Sequence, residues 1–156
     1  MKKQLTLVLE NVRSMHNVGA LFRTADAFGV SCIMLGGYTP APIDRFGRVV
    51  KEIQKTSLGA IDMVPWEHVP DACAEVRRLK EAGHMVVVLE QDARSVSLSE
   101  AVVSGDTVLV LGNEVDGVSL SMRQLADMII EIPMQGKKES LNVSVAGGIA
   151  LFALTR

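Results

Sequence analysis

The sequence predicts a doubly wound α/β domain in which helices cover both faces of a mostly parallel β-sheet. Short apolar runs alternate along the chain with amphipathic helical patterns, and the runs are continuous, as expected for strands buried on both sides. A length of 156 residues, with 48% hydrophobic and 22% charged residues, is sufficient for a single domain with its own hydrophobic core. It excludes a disordered chain, a disulfide scaffold and a fibre.

Five or six strands are expected from the apolar runs, which occupy residues 5–9, 31–35, 61–64, 85–89, 108–111 and 128–132. Helices are expected at 17–28, 70–82, 120–126 and 141–154, with a short one after a Gly- and Pro-rich loop at 36–47. The first helix has Val18, Leu21 and Phe22 at helical spacing, and Gly29 ends it.

Ligands of such sheets bind beyond the carboxyl ends of the strands, so functional residues are expected in the loops there. In the first such segment, 10–29, Asn17 is a candidate helix cap and Gly19 allows a backbone or a ligand to come close. Arg23 flanks the apolar side of the helix, where a guanidinium can bind a phosphate or a carboxylate bidentately. The alternative is an ordinary exposed arginine paired with Asp26.

The second segment, 111–119, is an acidic loop in which Gly112 and Gly117 bracket Glu114 and Asp116. Calcium binding is one interpretation, although the spacing does not match the twelve-residue EF-hand loop. A plain turn, with Ser119 capping the next helix, is the other.

The third segment, 132–148, contains a basic turn and the start of the last helix. Pro133 ends the preceding strand, and Lys137 and Lys138 follow Gly136. Ser140 or Asn142 then caps an apolar helix whose N-terminus offers free N–H groups. The alternative is a capped core helix in which Gly147 and its neighbours only allow close packing.

The net charge of −2 and the isoelectric point near 5.9 disfavour nucleic-acid binding at first sight, because phosphate contacts usually leave a basic footprint. The charge is unevenly distributed, however. Residues 61–131 are acidic, with five Lys/Arg and 13 Asp/Glu. Both flanking segments are basic: residues 1–60 contain eight Lys/Arg and four Asp/Glu, and residues 132–156 contain three Lys/Arg and one Asp/Glu. An acidic total therefore does not exclude a polyanionic partner, but it predicts weak binding that depends on assembly.

Other features limit the compartment and the chemistry. Cys32 and Cys73 lie in apolar runs and are expected to be buried, reduced thiols. The three histidines are scattered, so no metal site is expected. No apolar run approaches the roughly 20 residues of a membrane helix, and no signal peptide is evident, which predicts a cytosolic protein without a membrane partner. The GxGxxG, GxxxxGK[ST], GxSxG and HExxH motifs are absent.

Taken together and in order, segments 11–29, 111–117 and 132–146 resemble the three motifs of the SPOUT superfamily of RNA methyltransferases, in its SpoU (TrmH-like) branch. Segments 55–60 and 89–91 also resemble intermediate parts of that family. The resemblance implies a deep trefoil knot near the C-terminus, which general folding rules would not suggest. It further implies S-adenosyl-L-methionine as cofactor, a homodimer, and methyl transfer to a ribose 2′-hydroxyl of tRNA or rRNA, with no DNA partner.

The resemblance also implies roles for particular residues. Arg23 matches the essential arginine of the family. The polar positions that organise substrate and arginine match Asn17, Glu114, Ser140 and Asn142. The cofactor contacts of the family fall on Leu89, Gly112, Ile132, Met134 and Leu141. Independently of the resemblance, the basic residues that are candidate phosphate contacts are Arg45, Arg48, Lys51, Lys55, Lys137 and Lys138, and an ordinary solvated charged face is the alternative.

Many relatives carry an additional RNA-binding domain, whereas we expect residues 1–156 to form one methyltransferase domain without it. A compact dimer would then have to bind RNA with the core domain itself. Two alternatives stay open. One is a catalytically inactive knotted module that binds RNA or a nucleotide, and the other is a flavodoxin-like nucleotide protein, which does not need the loop at 133–140.

Overall fold

The computed structural model describes residues 2–156, and its strands form a single sheet. They are β1 (Leu5–Glu10), β2 (Cys32–Gly36), β3 (Trp66–Val69), β4 (Met85–Leu89), β5 (Val96–Ser97), β6 (Thr107–Leu111) and β7 (Met128–Glu131). Within residues 2–156 the seven strands lie in the order β3-β2-β1-β6-β4-β7-β5, and every neighbouring pair is parallel. The predicted α/β class and mostly parallel sheet are confirmed.

The helices are α1 (Met15–Ala27), α2 (Lys51–Ser57), α3 (Ala72–Glu81), α4 (Leu120–Leu125) and α5 (Val143–Thr155). Two short 3₁₀ helices occupy Ala60–Asp62 and Leu98–Glu100. No helix in residues 2–156 is both long and apolar enough to cross a membrane.

The predicted strand at 61–64 is wrong. Residues 61 and 62 belong to the 3₁₀ helix Ala60–Asp62, and residues 63 and 64 form the turn and bend that follow it; Ala60 and Val64 are buried in the core. The strand begins after Pro65, whose carbonyl accepts a hydrogen bond from Ile33 N at 2.9 Å. β3 lies at the edge of the sheet and its central residues, Glu67 and His68, are exposed, so it lacks the apolar run that is typical of a buried strand. The two-residue edge strand β5 was missed because it is too short to give a pattern.

Two apolar clusters cover the two faces of the sheet. Alternate residues of β1 divide between them: Leu7 and Leu9 pack with α1 and α5, whereas Val8 packs with α3 and α4. β6 divides in the same way, with Leu109 on the first side and Val110 on the second. Burial on both sides explains why these strands appear in the sequence as continuous apolar runs.

Glycines allow close packing at two helix contacts. A side chain at Gly19 of α1 would overlap Thr56 and approach the carbonyl oxygen of Ile53, so the expected close approach is made by the backbone of α2. A Cβ at Gly147 of α5 would lie 2.7 Å from side-chain carbons of both Leu21 and Leu111. Gly147 therefore lets α5 pack against α1 and β6 within one protomer.

The helix caps partly match the predictions. Ser119 caps α4 by accepting a hydrogen bond from Met122 N, and Asn142 caps α5, both as expected. The predicted cap at Asn17 is wrong, because α1 begins earlier and Ser14 is its cap, accepting from Asn17 N at 3.2 Å. Asn17 is consequently a buried residue within the helix, and its side chain is available for other contacts.

The two cysteines are unpaired thiols, but each is only partly buried, which corrects the expectation that both lie in the core. Burial raises the pKa of both thiols, and the nearby carboxylates Glu67 and Glu10 raise the pKa of Cys32 and Cys73 further. Both side chains therefore stay protonated at neutral pH and are poor nucleophiles.

Candidate functional site

A cleft of about 580 Å³ lies at the carboxyl ends of β4, β6 and β7, where ligands bind to parallel sheets. The loops that follow these three strands form most of its wall. All five residues predicted to contact a cofactor line it: Leu89, Gly112, Ile132, Met134 and Leu141. The structure thus brings these residues together, and their contact with a cofactor stays a prediction.

The acidic loop after β6 is a tight, closed turn. Asn113 N donates to the carbonyl of Gly117 at 3.1 Å, and Gly117 N donates back to Asn113 at 2.9 Å. The Asn113 side chain also accepts hydrogen bonds from Val115 N and Asp116 N, both at 2.8 Å. A side chain at Gly112 would overlap the backbone of Gly117, so only glycine fits there. The loop therefore presents a preformed wall to the cleft.

Two carboxylates that the sequence reasoning did not single out hold this loop from neighbouring strands. Glu10, at the end of β1, is only 6% exposed and accepts hydrogen bonds from Ser119 N at 2.7 Å and Ser119 Oγ at 2.8 Å. Glu90, directly after β4, accepts a hydrogen bond from Val118 N at 2.8 Å. The sequence contains one signal for both residues, which is a carboxylate at the end of an otherwise apolar strand. A carboxylate buried there needs hydrogen-bond donors, and the neighbouring loop is the nearest source of them.

Three of the predicted polar site residues form one hydrogen-bonded network. The amide nitrogen of Asn142 donates to Asn17 Oδ1 at 3.1 Å, and Asn17 Nδ2 donates to Glu114 Oε1 at 3.1 Å. Glu114 also accepts from Arg13 N at 3.0 Å and Ser14 N at 3.1 Å. The network joins the start of α1, the acidic loop and the start of α5 at the rim of the cleft.

The pKa of Glu114 reflects these contacts. Desolvation by partial burial raises the pKa of this carboxyl, but the hydrogen bonds from Arg13 N, Ser14 N and the Asn17 side chain outweigh that effect. The pKa of Glu114 is therefore below its ordinary value, and the group is an anion at neutral pH that only accepts hydrogen bonds.

The remaining two predicted residues are placed differently. Ser140 lines the cleft, two residues before the cap of α5. Arg23 is exposed on α1, six residues after Asn17, which is about 9 Å along a helix axis, and it is not among the residues that line the cleft. The structure describes both Arg23 and Asp26 and contains no ion pair between them. Arg23 is thus a cation without an ionic partner in the described chain.

The residue after Arg23 lies against α5, and α5 carries an exposed apolar surface. The neighbouring residue Thr24 packs against Gly148 of α5, and the rings of Phe28 and Phe152 lie 6.0 Å apart. Along α5, one exposed side carries large apolar residues with fractional exposures of 51%, 40% and 56%: Val145, Ile149 and Phe152.

The cleft is predominantly acidic. Its lining carboxylates are Glu90, Glu114, Asp116 and Glu131. The one cationic side chain that lines it, among residues 2–156, is Arg123, which already pairs with Asp92 at 3.0 Å. Among the same residues no three His, Cys, Asp or Glu side chains are arranged to hold a metal ion, which leaves the calcium interpretation without support. The excess of carboxylates in the lining of the cleft favours a ligand that carries positive charge.

Comparison with known proteins gives consistent results. Residues 4–152 match the SpoU rRNA Methylase family. The chain is 38% identical over 152 residues to the 23S rRNA (guanosine-2'-O-)-methyltransferase RlmB of Nitrosomonas europaea, an alignment that covers 97% of this chain and 56% of that protein. It spans 56 to 60% of the length of this and seven further curated relatives named in the same way.

Solved structures show the same fold. The AdoMet-bound rRNA methyltransferase of Sinorhizobium meliloti superimposes with a TM-score of 0.87 at 30% identity, over 97% of this chain and 56% of that one. The TrmH/SpoU tRNA modifying enzyme of A. aeolicus superimposes with a TM-score of 0.84 at 33% identity, over 97% of this chain and 74% of that one.

Proposed function

The chain belongs to the SpoU rRNA methylase family, and from this premise we propose that it transfers a methyl group from S-adenosyl-L-methionine to a ribose 2′-hydroxyl of tRNA or rRNA. The observation that carries the proposal is the cleft at the ends of β4, β6 and β7. It combines the five residues predicted to contact the cofactor with a rim formed by Asn17, Glu114 and Asn142.

The chemistry of the cleft fits the proposed cofactor. The apolar side chains of Leu89, Ile132, Met134 and Leu141 suit a flat adenine ring, and the bent backbone at Gly112 offers carbonyl and N–H groups to its edge. When bound, S-adenosyl-L-methionine supplies a reactive methyl group on a positively charged sulfur. The carboxylates of Glu90 and Glu114 suit that positive charge and the amino group of the cofactor.

Arg23 is the residue that we propose acts on the RNA. A ribose hydroxyl is a weak nucleophile and must lose its proton as it is methylated. An arginine stays protonated in proteins, so Arg23 does not itself accept the proton. Its guanidinium instead clamps the adjacent phosphate and stabilises the developing negative charge on the oxygen, while the phosphate or a water takes up the proton.

Asn17, Glu114 and Asn142 act as positioning residues in this proposal. Their chain of hydrogen bonds fixes the start of α5 and the acidic loop relative to α1, the helix that carries Arg23. Preorganised groups of this kind contribute to catalysis because no reorganisation is needed during the reaction. Ser140 lies beside them on the wall of the cleft and is available to the substrate.

A homodimer belongs to the same proposal, because Arg23 is outside the cleft of its own protomer. Association through the exposed side of α5 would bury Val145, Ile149 and Phe152 and would bring Arg23 to the interface. Gly147 does not contribute to this contact, because it packs against Leu21 and Leu111 inside its own protomer. The larger exposed apolar residues are the better basis.

Three further expectations remain part of the proposal. The trefoil knot is supported by the superposition on the family structures over 97% of the chain. The substrate is supported as rRNA by the names of the curated relatives and as tRNA by the A. aeolicus enzyme. A cytoplasmic location follows from either substrate.

The test combines methylation and cofactor binding. We expect the purified chain to bind S-adenosyl-L-methionine in calorimetry and to transfer its labelled methyl group to tRNA or rRNA from a strain that lacks the protein, with the new 2′-O-methyl site mapped by primer extension. Binding of RNA without binding of cofactor would favour the inactive module and would contradict the proposal.

A further inference from the structure

The loop between β2 and α2 contains an ordered hairpin at residues 43–49, which carries two of the candidate phosphate contacts, Arg45 and Arg48. Ile43 and Val49 form an antiparallel bridge, and Asp44 N donates to the carbonyl of Arg48 at 2.9 Å. The Asp44 carboxylate accepts hydrogen bonds from Phe46 N at 2.8 Å and Arg48 N at 3.0 Å. Gly47 has a φ of +76°, which favours glycine. The turn is therefore formed before any ligand arrives.

The tip of this hairpin presents an aromatic ring with two cations. Phe46 is 66% exposed, although the chain contains only four phenylalanines. The guanidinium carbons of Arg45 and Arg48 lie 4.8 and 4.9 Å from the centre of the ring. Arg48 is also held by the Asp44 carboxylate at 3.0 Å. We call Arg45, Phe46 and Arg48 the stacking platform.

The base of the loop is anchored beside the cleft. The hydroxyl of Tyr38 accepts a hydrogen bond at 3.0 Å from the side chain of Asn113, which lines the cleft. Thr39 is 2% exposed, and its hydroxyl donates to the carbonyl of Leu9 or Gly36. Phe46 is eight positions after Tyr38, a reach of at most about 29 Å. The platform is thus within a few nucleotides of the cleft.

Positive charge continues from the hairpin onto α2. Lys51 and Lys55 lie one turn apart and are both exposed, and Glu52 is the acidic residue of the helix. The α2 helix packs directly on α1, the helix that carries Arg23. An anionic strand could therefore pass from the hairpin along α2 toward Arg23.

We propose that the stacking platform binds an unpaired base of the RNA substrate next to the methylated nucleotide. Proteins recognise single-stranded RNA by stacking its bases on aromatic rings and guanidinium planes, with cationic side chains on the phosphates. A rigid tip with a ring, two guanidiniums and nearby lysines has this combination. Base-paired RNA offers no free base face, so the platform selects unpaired segments. This inference rests on the proposed function for the identity of the substrate.

The experiment measures RNA affinity by fluorescence anisotropy, with a labelled single-stranded 12-mer of mixed sequence and its duplex as probes. We expect Phe46→Leu to weaken binding of the single strand by about tenfold and to leave duplex binding unchanged. Phe46→Tyr keeps a ring and should bind within about twofold of the parent. Arg45→Gln should reduce the number of ions released on binding, measured as the slope of log K against log salt concentration, by about one. Arg77→Gln, at an exposed position on α3, should leave that slope unchanged.

Equal single-strand affinity of the Phe46→Leu and Phe46→Tyr variants would overturn the inference, as would an equal loss for single strand and duplex. Calorimetry with S-adenosyl-L-methionine on both variants separates this result from the proposed function. If the variants differ in RNA binding but no RNA is methylated, the proposed function fails and with it the place next to a methylated nucleotide, while base stacking on Phe46 in single-stranded RNA stands. If RNA is methylated and Phe46→Leu does not raise its KM, the function stands and the platform fails.

Discussion

The side-chain amide of Asn142 donates a hydrogen bond to Asn17 Oδ1 at 3.1 Å, across 125 residues of sequence. The same Asn142 accepts hydrogen bonds from Ser144 N at 2.9 Å and Ser144 Oγ at 2.6 Å, so its oxygen faces α5 and its nitrogen faces α1. Asn17 in turn donates to Glu114. Each member of this network therefore has one orientation, which suits a site that must be formed before its substrate binds.

Asn17→Asp should destabilise the protein, because it replaces a donor with a second carboxylate 3.1 Å from Glu114. We expect a loss of about 1–3 kcal/mol in the free energy of unfolding at pH 8, as for a broken buried hydrogen bond. The loss should shrink at pH 5 as one carboxyl becomes protonated. Urea denaturation at both pH values measures it. Asn17→Ala is the control, and a pH dependence of similar size in that variant would contradict the explanation.

Arg23→Ala should abolish methyl transfer without affecting the cofactor, since Arg23 is not among the residues that line the cleft. We expect a decrease in kcat of about 100-fold or more, as for other groups that stabilise developing charge. The Kd for S-adenosyl-L-methionine should stay within about twofold of the parent value. Asp26→Asn, on the same helix, serves as the control. Unchanged methyl transfer by Arg23→Ala would refute the role of this arginine.

The Glu114 network should stabilise the protein at neutral pH and lose its effect in acid. The pKa of Glu114 is below its ordinary value of 4.5, so the unfolded chain binds this proton more readily than the folded one. The stabilisation from Glu114 is complete when the pH is above the ordinary pKa of this carboxyl, and it is lost as the pH falls through the lowered pKa of the folded state. The difference in unfolding free energy between the parent and Glu114→Gln should thus be larger at pH 7 than at pH 3. A difference that grows in acid would have the wrong sign.

Glu10 should affect the cofactor cleft from outside it. Glu10→Ala removes the acceptor of two hydrogen bonds from Ser119 and releases one end of the acidic loop. We expect a loss of about 1.5–3 kcal/mol in the free energy of unfolding, typical of hydrogen bonds to a charged group. The Kd for S-adenosyl-L-methionine should rise about tenfold in calorimetry. Glu10→Gln keeps an acceptor for Ser119 N, so its Kd and its free energy of unfolding should lie between those of the parent and those of Glu10→Ala. An unaltered Kd in Glu10→Ala would show that the loop does not depend on this anchor.

Ile149→Asp should produce a monomer if the exposed side of α5 forms the dimer contact, because an unpaired charge would be buried there. Sedimentation equilibrium at micromolar concentration measures the mass. Val102→Asp is the matched control, since Val102 is 77% exposed and lies outside α5. A parent chain that is already monomeric would rule out the dimer.

Strands buried on both sides and helices with regular apolar spacing can be predicted from the sequence because their pattern is local. This holds for β1, β4 and β6, whose apolar runs are continuous. It fails for β3, where Glu67 and His68 face solvent at the edge of the sheet. The position of an edge depends on strand order, which no local pattern contains.

The residues of the candidate site were likewise available from the sequence, through three motifs in order, but their relations were not. The sequence by itself determined the α/β class and, through the motifs, the five residues Leu89, Gly112, Ile132, Met134 and Leu141 of the cleft lining, but not Glu90, Arg123 or Glu131. Only the tertiary structure decided that Asn17 bonds to Glu114 and Asn142 rather than capping its helix, that Glu10 anchors the acidic loop, and that Arg23 lies outside the cleft. The physical reason is that these contacts join residues about 100 positions apart, and parallel strand pairing alone brings them to one edge of the sheet.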